Sequence, residues 1–264
     1  ALCDLDARRL QSICSRVRDY AFSRREPVRK GSRRRRAARP FHPCRPANRL
    51  MEWSPLIARG TAYETPQCVV ITSASRGLGR ELALAYAQPG RLLGLTARDG
   101  AALDDVAVQG RLRGADVVVR VAAGTEHGAL TDWVVELDGR RPIDLLIANA
   151  GLFDGRRQDA TLEGLDAAIS QLRVNLEGAI RTIDAVLPLM LARKRGHVAA
   201  ISSLAAVYPL ADAPAYSASK AGLVTYCDGL RELLAPSGIA VSVVYPGHIA
   251  TRQTEAHEGP LPLL

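Results

Sequence analysis

The chain has 264 residues, 47% of them hydrophobic, which suffices for one large α/β domain or two small ones. Its formal charge of +8 suggests a nucleic-acid binder until it is divided: residues 1–50 carry 15 Lys or Arg against 4 Asp or Glu, and the remainder carries 20 against 23, so the body is slightly acidic. No apolar run near 18 residues and no signal-peptide core are present, and the five cysteines lack metal or disulfide spacing, which argues against a membrane span, secretion, a metal centre and a cystine framework. A cytoplasmic body with reduced thiols is the expectation.

Residues 1–65 read as a basic, disordered extension. They contain Arg33 to Arg36, proline turns around Phe41 and little apolar periodicity. Three readings stay open for this segment: a basic arm for nucleic acid or anionic surfaces, an organelle-targeting segment, or non-native upstream sequence. The third is preferred because the chain starts at Ala1 and its first methionine is Met51. Residues 66–264 form the second expected unit.

In that unit strand and helix signals alternate. Gln67–Thr72 is the first predicted strand, followed by a glycine turn through Gly79 and a helix over Arg80–Gln88 that Pro89-Gly90 stops. Arg91–Thr96 is the second strand, Leu103–Arg113 a weaker helix, Asp116–Val121 the third strand and Leu130–Leu137 another helix. Ile143–Ala148 is the fourth strand. The segment Leu165–Ala192 reads as one long helix carrying Asn175, with a kink at Pro188. The fifth strand ends at Ser202, Pro214 opens the helix bearing Tyr216 and Lys220, and Ile239–Tyr245 is the sixth strand. This order predicts a Rossmann-type, doubly wound parallel sheet with ligand at the carboxyl ends of its strands.

Chemistry concentrates at those ends. Tyr216 and Lys220 are four residues apart, so a helix puts phenol and ammonium on one face, where a fixed cation would favour the phenolate. The same spacing also fits an ordinary helix with a solvated lysine. Ser202 and Ser203 stand where the fifth strand gives way to a loop, and a serine there can meet the tyrosine in space. Strand, glycine turn and helix around Gly77 and Gly79 make a phosphate-site context, since glycine permits close backbone approach and the first helical N–H groups attract anions.

Together these residues resemble the short-chain dehydrogenase/reductase family over about three quarters of the chain, from Pro66 onward. The family's glycine turn is similar to Thr72-Ser73-Ala74-Ser75-Arg76-Gly77-Leu78-Gly79, and its Asn-Asn-Ala-Gly to Ala148-Asn149-Ala150-Gly151. Its helix asparagine matches Asn175, its Ser, Tyr and Lys match Ser203, Tyr216 and Lys220, and its Pro-Gly-x-x-x-Thr matches Pro246-Gly247-His248-Ile249-Ala250-Thr251.

The resemblance implies an oxidoreductase that moves hydride between NADP(H) or NAD(H) and an alcohol or ketone. It implies Tyr216 as acid/base, Lys220 as the residue that lowers its pKa and holds the nicotinamide ribose, and Ser203 as hydrogen-bond donor to the substrate oxygen. Asn175 would anchor a relay water, and the glycine-turn residues, Asn149, Ala150, Gly151, Pro246, Gly247, Ile249 and Thr251 would line the cofactor. Arg76 and Arg98 favour NADP(H), because a second strand ending Thr96-Ala97-Arg98 offers positive charge where an NAD enzyme places an acid. Asp99 is one position late for a ribose acceptor and suits a helix cap. A homodimer or homotetramer built on the helices of Asn175 and Tyr216 is implied by the resemblance alone.

Three departures bear on this. Ser73 replaces the first glycine, Ala122-Ala123-Gly124-Thr125 lacks an adenine-binding aspartate, and the chain stops at Leu264, so the seventh strand of the family is expected to be missing. Two rival readings therefore stand: a truncated, inactive relative that binds nucleotide or a partner, and a nucleic-acid binder led by the arginine-rich arm.

Overall fold

The computed structural model describes residues 65–122, 127–155 and 161–247. The basic extension through residue 64, residues 123–125 of the segment after the third strand, and Ile249 and Thr251 lie outside the described residues. Six strands form one parallel sheet: β1 (Cys68–Thr72), β2 (Leu92–Ala97), β3 (Asp116–Val121), β4 (Leu145–Ala148), β5 (Gly196–Ile201) and β6 (Ile239–Val244). Their order is β3-β2-β1-β4-β5-β6. The winding reverses between β1 and β4, the switch point at which sheets of this kind form a ligand crevice outside the carboxyl ends of their strands.

The apolar pattern explains the arrangement. Every residue of β1, β2 and β4 is buried, as expected for strands covered on both faces. On one face Leu82 and Tyr86 of α1 (Gly77–Tyr86) and Leu103 and Val106 of α2 (Gly100–Leu112) pack with Ile71, Leu93 and Leu95. On the other, α3 (His127–Arg140), α5 (Gly178–Arg193) and α6 (Pro214–Leu234) bring Val134, Ile183, Met190 and Leu223 against Val70, Leu146 and Val198. No described helix is long and apolar enough to cross a membrane.

The expected order of elements is the observed one, with differences at the ends. Asp99 caps α2, accepting a bond from Ala102 N at 3.0 Å, so that helix starts three residues before Leu103. β6 ends at Val244 rather than Tyr245. The long helix over 165–192 is divided: α4 (Leu165–Leu172), one π-helical turn (Arg173–Glu177) and α5. Asn175 sits in the π turn, where an inserted residue widens the backbone and redirects the side chains around it.

A half-buried histidine joins β5 and β6. His197 Nε2 lies 2.9 Å from Ser242 Oγ, and burial pushes the imidazole down to about 4 from its ordinary 6.5. The unfolded chain takes up a proton that the fold refuses, so this stability is complete above pH 6.5 and is lost as pH falls toward 4. Urea unfolding at pH 5.0 should show about 2 kcal/mol less stability than at pH 7.5, and His197→Gln should remove most of that difference. An equal loss in the variant would assign the acid sensitivity to other groups.

Candidate active site

The glycine turn begins where β1 ends. Thr72 closes the strand and ties it to the next one across the crevice, its Oγ1 accepting from Asn149 N at 3.0 Å and from Ala150 N at 3.1 Å. The Asn149 side chain returns the link, donating to Thr72 O at 3.0 Å and Ser73 O at 3.3 Å. Gly79 makes this packing possible: a Cβ there would lie 2.2 Å from Ser73 O and 2.5 Å from Asn149 Nδ2. Ser73 itself has φ 54°, the left-handed region that a glycine would adopt freely and that costs an L-residue about 1–2 kcal/mol. Gly77 has φ 52° and starts α1. Ser75 and Leu78 lie in the same turn, half-buried.

No side chain caps the N-terminus of α1, and its first turn carries no acid. Backbone donors and the positive end of the helix dipole therefore face the crevice, which suits the pyrophosphate of a dinucleotide. Arg76 and Arg98 are both exposed at this edge. Arg76 pairs with Asp99 Oδ2, while Asp99 Oδ1 holds the cap of α2.

The expected catalytic residues meet at the ends of β4 and β5. Lys220 is 3% exposed, and its Nζ donates to Ile201 O at 2.9 Å. Burial lowers its pKa to about 8. A Cβ on Gly151 would stand 3.3 Å from this ammonium and 3.7 Å from Asn175 Oδ1, so the absent side chain leaves the amine its place. Ser203 is extended, its Oγ accepts from Ala205 N at 3.1 Å, and its hydroxyl lies near enough to the Tyr216 phenol to favour the ionised form. Ser202 is buried and donates to Lys220 O at 3.1 Å. Pro246 and Gly247 follow β6 and are half-buried, with Pro246 O accepting from Leu204 N at 3.0 Å beside Ser203. Tyr245 lies between strand and proline, and burial raises its phenol pKa.

One expectation changes. Tyr216 does not have a lowered pKa: burial raises it, with the Ser203 hydrogen bond opposing. The physical reason is placement, because Lys220 Nζ lies over the ring, 5.9 Å from its centroid, and spends its bond on Ile201 O. Asn175 is fully buried and directly bonded to protein. Its Oδ1 accepts from Leu152 N at 2.6 Å, and its Nδ2 donates to Leu152 O at 2.8 Å and Ser219 Oγ at 3.0 Å. The side chain thus holds the loop after β4.

Sequence reasoning missed Phe153 and Gln171. Phe153 meets the Tyr216 ring edge to face at 5.0 Å, and Gln171 is 0% exposed with its amide bonded to Asp154. Gln171 is four residues before Asn175, a spacing that could have placed both amides on one face.

With the crevice, the glycine turn and the Ser203, Tyr216 and Lys220 cluster in view, similarity to known proteins is informative. A family model described as short chain dehydrogenase matches residues 67–259. The chain belongs to the short-chain dehydrogenase/reductase family. It is 35% identical over 196 residues to an uncharacterized oxidoreductase of Myxococcus xanthus, covering 74% of this chain and 77% of that one. Among solved structures, a metagenomic short-chain oxidoreductase in complex with NADP is 32% identical with TM-score 0.62, covering 70% of this chain and 83% of that one. An NAD+-bound xylitol dehydrogenase is 26% identical with TM-score 0.65, covering 72% and 73% respectively. The family makes the protein an NAD(P)-dependent dehydrogenase or reductase.

Strain in the glycine turn gives a direct test. Ser73→Gly should raise stability by about 0.5–1 kcal/mol, the left-handed cost less the extra freedom of glycine in the unfolded chain. Urea unfolding checks it, and an unchanged or lower midpoint would mean that the serine side chain offsets its backbone strain.

Proposed function

We propose that this dehydrogenase moves hydride between NADP(H) and a small carbonyl or alcohol substrate, with Ser203, Tyr216 and Lys220 handling the proton. The observation that carries the reading is the buried Lys220 ammonium set over the Tyr216 ring, with Ser203 beside the phenol, next to a glycine turn whose helix N-terminus has no side-chain cap.

The cofactor, when bound, supplies or accepts the hydride. Thr72, Ser73, Ser75, Gly77, Leu78, Gly79, Asn149, Ala150 and Gly151 would hold it, as would Pro246 and Gly247. In reduction Tyr216 donates its phenolic proton to the substrate oxygen as negative charge develops there. A raised phenol pKa keeps that proton in place at neutral pH, so the resting residue is an acid ready for reduction. Ser203 donates a second hydrogen bond to the same oxygen, stabilising the developing alkoxide. Lys220, charged at neutral pH with a pKa near 8, sets a positive field behind the phenol that favours its transient ionised form. Asn175 holds the loop that borders this cluster.

For cofactor preference, Arg98 is exposed at the end of β2, and Arg76 is engaged only by a surface ion pair. Two guanidinium groups at one edge suit a 2′-phosphate with charge-assisted bonds.

Tyr216→Phe should lower NADPH-dependent reduction of a model ketone by about 100-fold or more while NADPH still quenches or enhances fluorescence on binding. Retained reduction would remove the tyrosine from the chemistry. Arg98→Asp should move the ratio of kcat/KM for NADPH over NADH toward NADH by about tenfold or more. No change in that ratio would end the NADP(H) assignment.

A further inference from the structure

Two side-chain amides, one helical turn apart, grip consecutive stretches of the same loop. Asn175 takes both backbone groups of Leu152, accepting from its N–H at 2.6 Å and donating to its carbonyl at 2.8 Å. Gln171 does the same at Asp154, with Oε1 accepting from Asp154 N at 3.0 Å and Nε2 donating to Asp154 O at 3.0 Å. Each amide behaves toward the loop as a neighbouring strand would, satisfying donor and acceptor of one residue together. The residue between the two grips is Phe153, and its ring meets Tyr216 edge to face at 5.0 Å.

A further link joins this grip to the helix that carries the tyrosine. Gln171 Nε2 also donates to Glu163 Oε1 at 2.5 Å, and Glu163 Oε2 accepts from Ala215 N at 3.0 Å, the residue before Tyr216. That N–H belongs to the first turn of α6, where a carboxylate is favoured by the helix dipole as well as by the bond. Gln171 is 0% exposed, so these bonds are made without competition from water. The loop is seated from behind as well: a Cβ on Gly155 would lie 3.3 Å from Asp212 O and 3.5 Å from Phe153 Cζ.

We propose that Gln171 is a positioning residue: with Asn175 it grips the backbone on both sides of Phe153, and through Glu163 it registers that loop against α6, so that Phe153 stands as a fixed wall against Tyr216. The proposal rests on the reading of Tyr216 as the proton donor for its functional meaning, but its geometry concerns the tyrosine's surroundings alone. Phe153 then keeps water from one side of the phenol and gives the substrate an apolar edge to lie against.

The test reads the ionisation of Tyr216 directly, by ultraviolet difference titration in which the spectrum of the matching Tyr216→Phe protein is subtracted. Gln171→Met keeps length and apolar volume but frees Asp154, and Phe153→Ala removes the wall while leaving both grips. In each variant water should reach the phenol, and Tyr216 should ionise at a pH lower by about half a unit or more. If Gln171→Met fails to give a cooperative thermal unfolding transition, Glu163→Ala, which cuts the tie between Gln171 and α6, takes its place and should lower the Tyr216 titration in the same way. Tyr216 titrating as in the unaltered protein, in a folded variant that still binds NADPH, would overturn the proposal. A lowered titration in a protein whose ketone reduction survives Tyr216→Phe would support the grip and sink only the catalytic reading.

Discussion

A buried ammonium organises this site. Taking Lys220 out of water costs several kcal/mol unless its donors find partners, and the fold supplies Ile201 O at 2.9 Å from the end of β5. Neighbouring features follow from that need. Gly151 leaves open the space where a side chain would press on Nζ, and Ser202 donates to the Lys220 carbonyl, fixing the helix turn from which the amine projects. The drop of the lysine pKa to about 8 shows that these contacts offset only part of the burial cost. Stability is given up where charge is needed, and the cores on the two faces of the sheet recover it elsewhere.

The strands and their alternation with helices were legible because both leave local signals. β1, β2 and β4 are short apolar runs bounded by turn residues, and burial on both faces asks for little else. The cluster of Ser203, Tyr216 and Lys220 was legible through spacing. What escaped was decided by contacts across the chain. The π turn at Arg173–Glu177 has no local composition that separates it from a helix, and what distinguishes it is Asn175 reaching Leu152 and Ser219. Gln171 in a helix reads as a solvated polar residue, and only the fold buries it under Asp154.

The direction of the Tyr216 shift belongs to the same class. Residues four apart on a helix are close, but closeness does not say where a flexible lysine sends its charge. Ile201 O draws Nζ over the ring, while burial under Phe153 acts on the hydroxyl proton itself. Here desolvation outweighs the opposing contribution of Ser203, and the phenol holds its proton.

Asp99 shows how one carboxylate can be mistaken for a cofactor determinant. A ribose acceptor at the end of β2 needs free lone pairs directed at the crevice, and those of Asp99 are already shared between Ala102 N and Arg76. The cap is a local bond that anchors α2, typically worth about 1 kcal/mol, and it would be lost if the side chain turned to a ribose. The pair with Arg76 is different. Its side chains are 58% and 40% exposed, and such surface pairs contribute about 1 kcal/mol or less. A doubly charged phosphate offers Arg76 more than Asp99 does, so the arginine can change partners while the cap stays intact. Under the proposed NADP(H) reading, Asp99 would restrain Arg76 until a 2′-phosphate displaced it, and Arg98, exposed at the same edge, would supply the second positive charge.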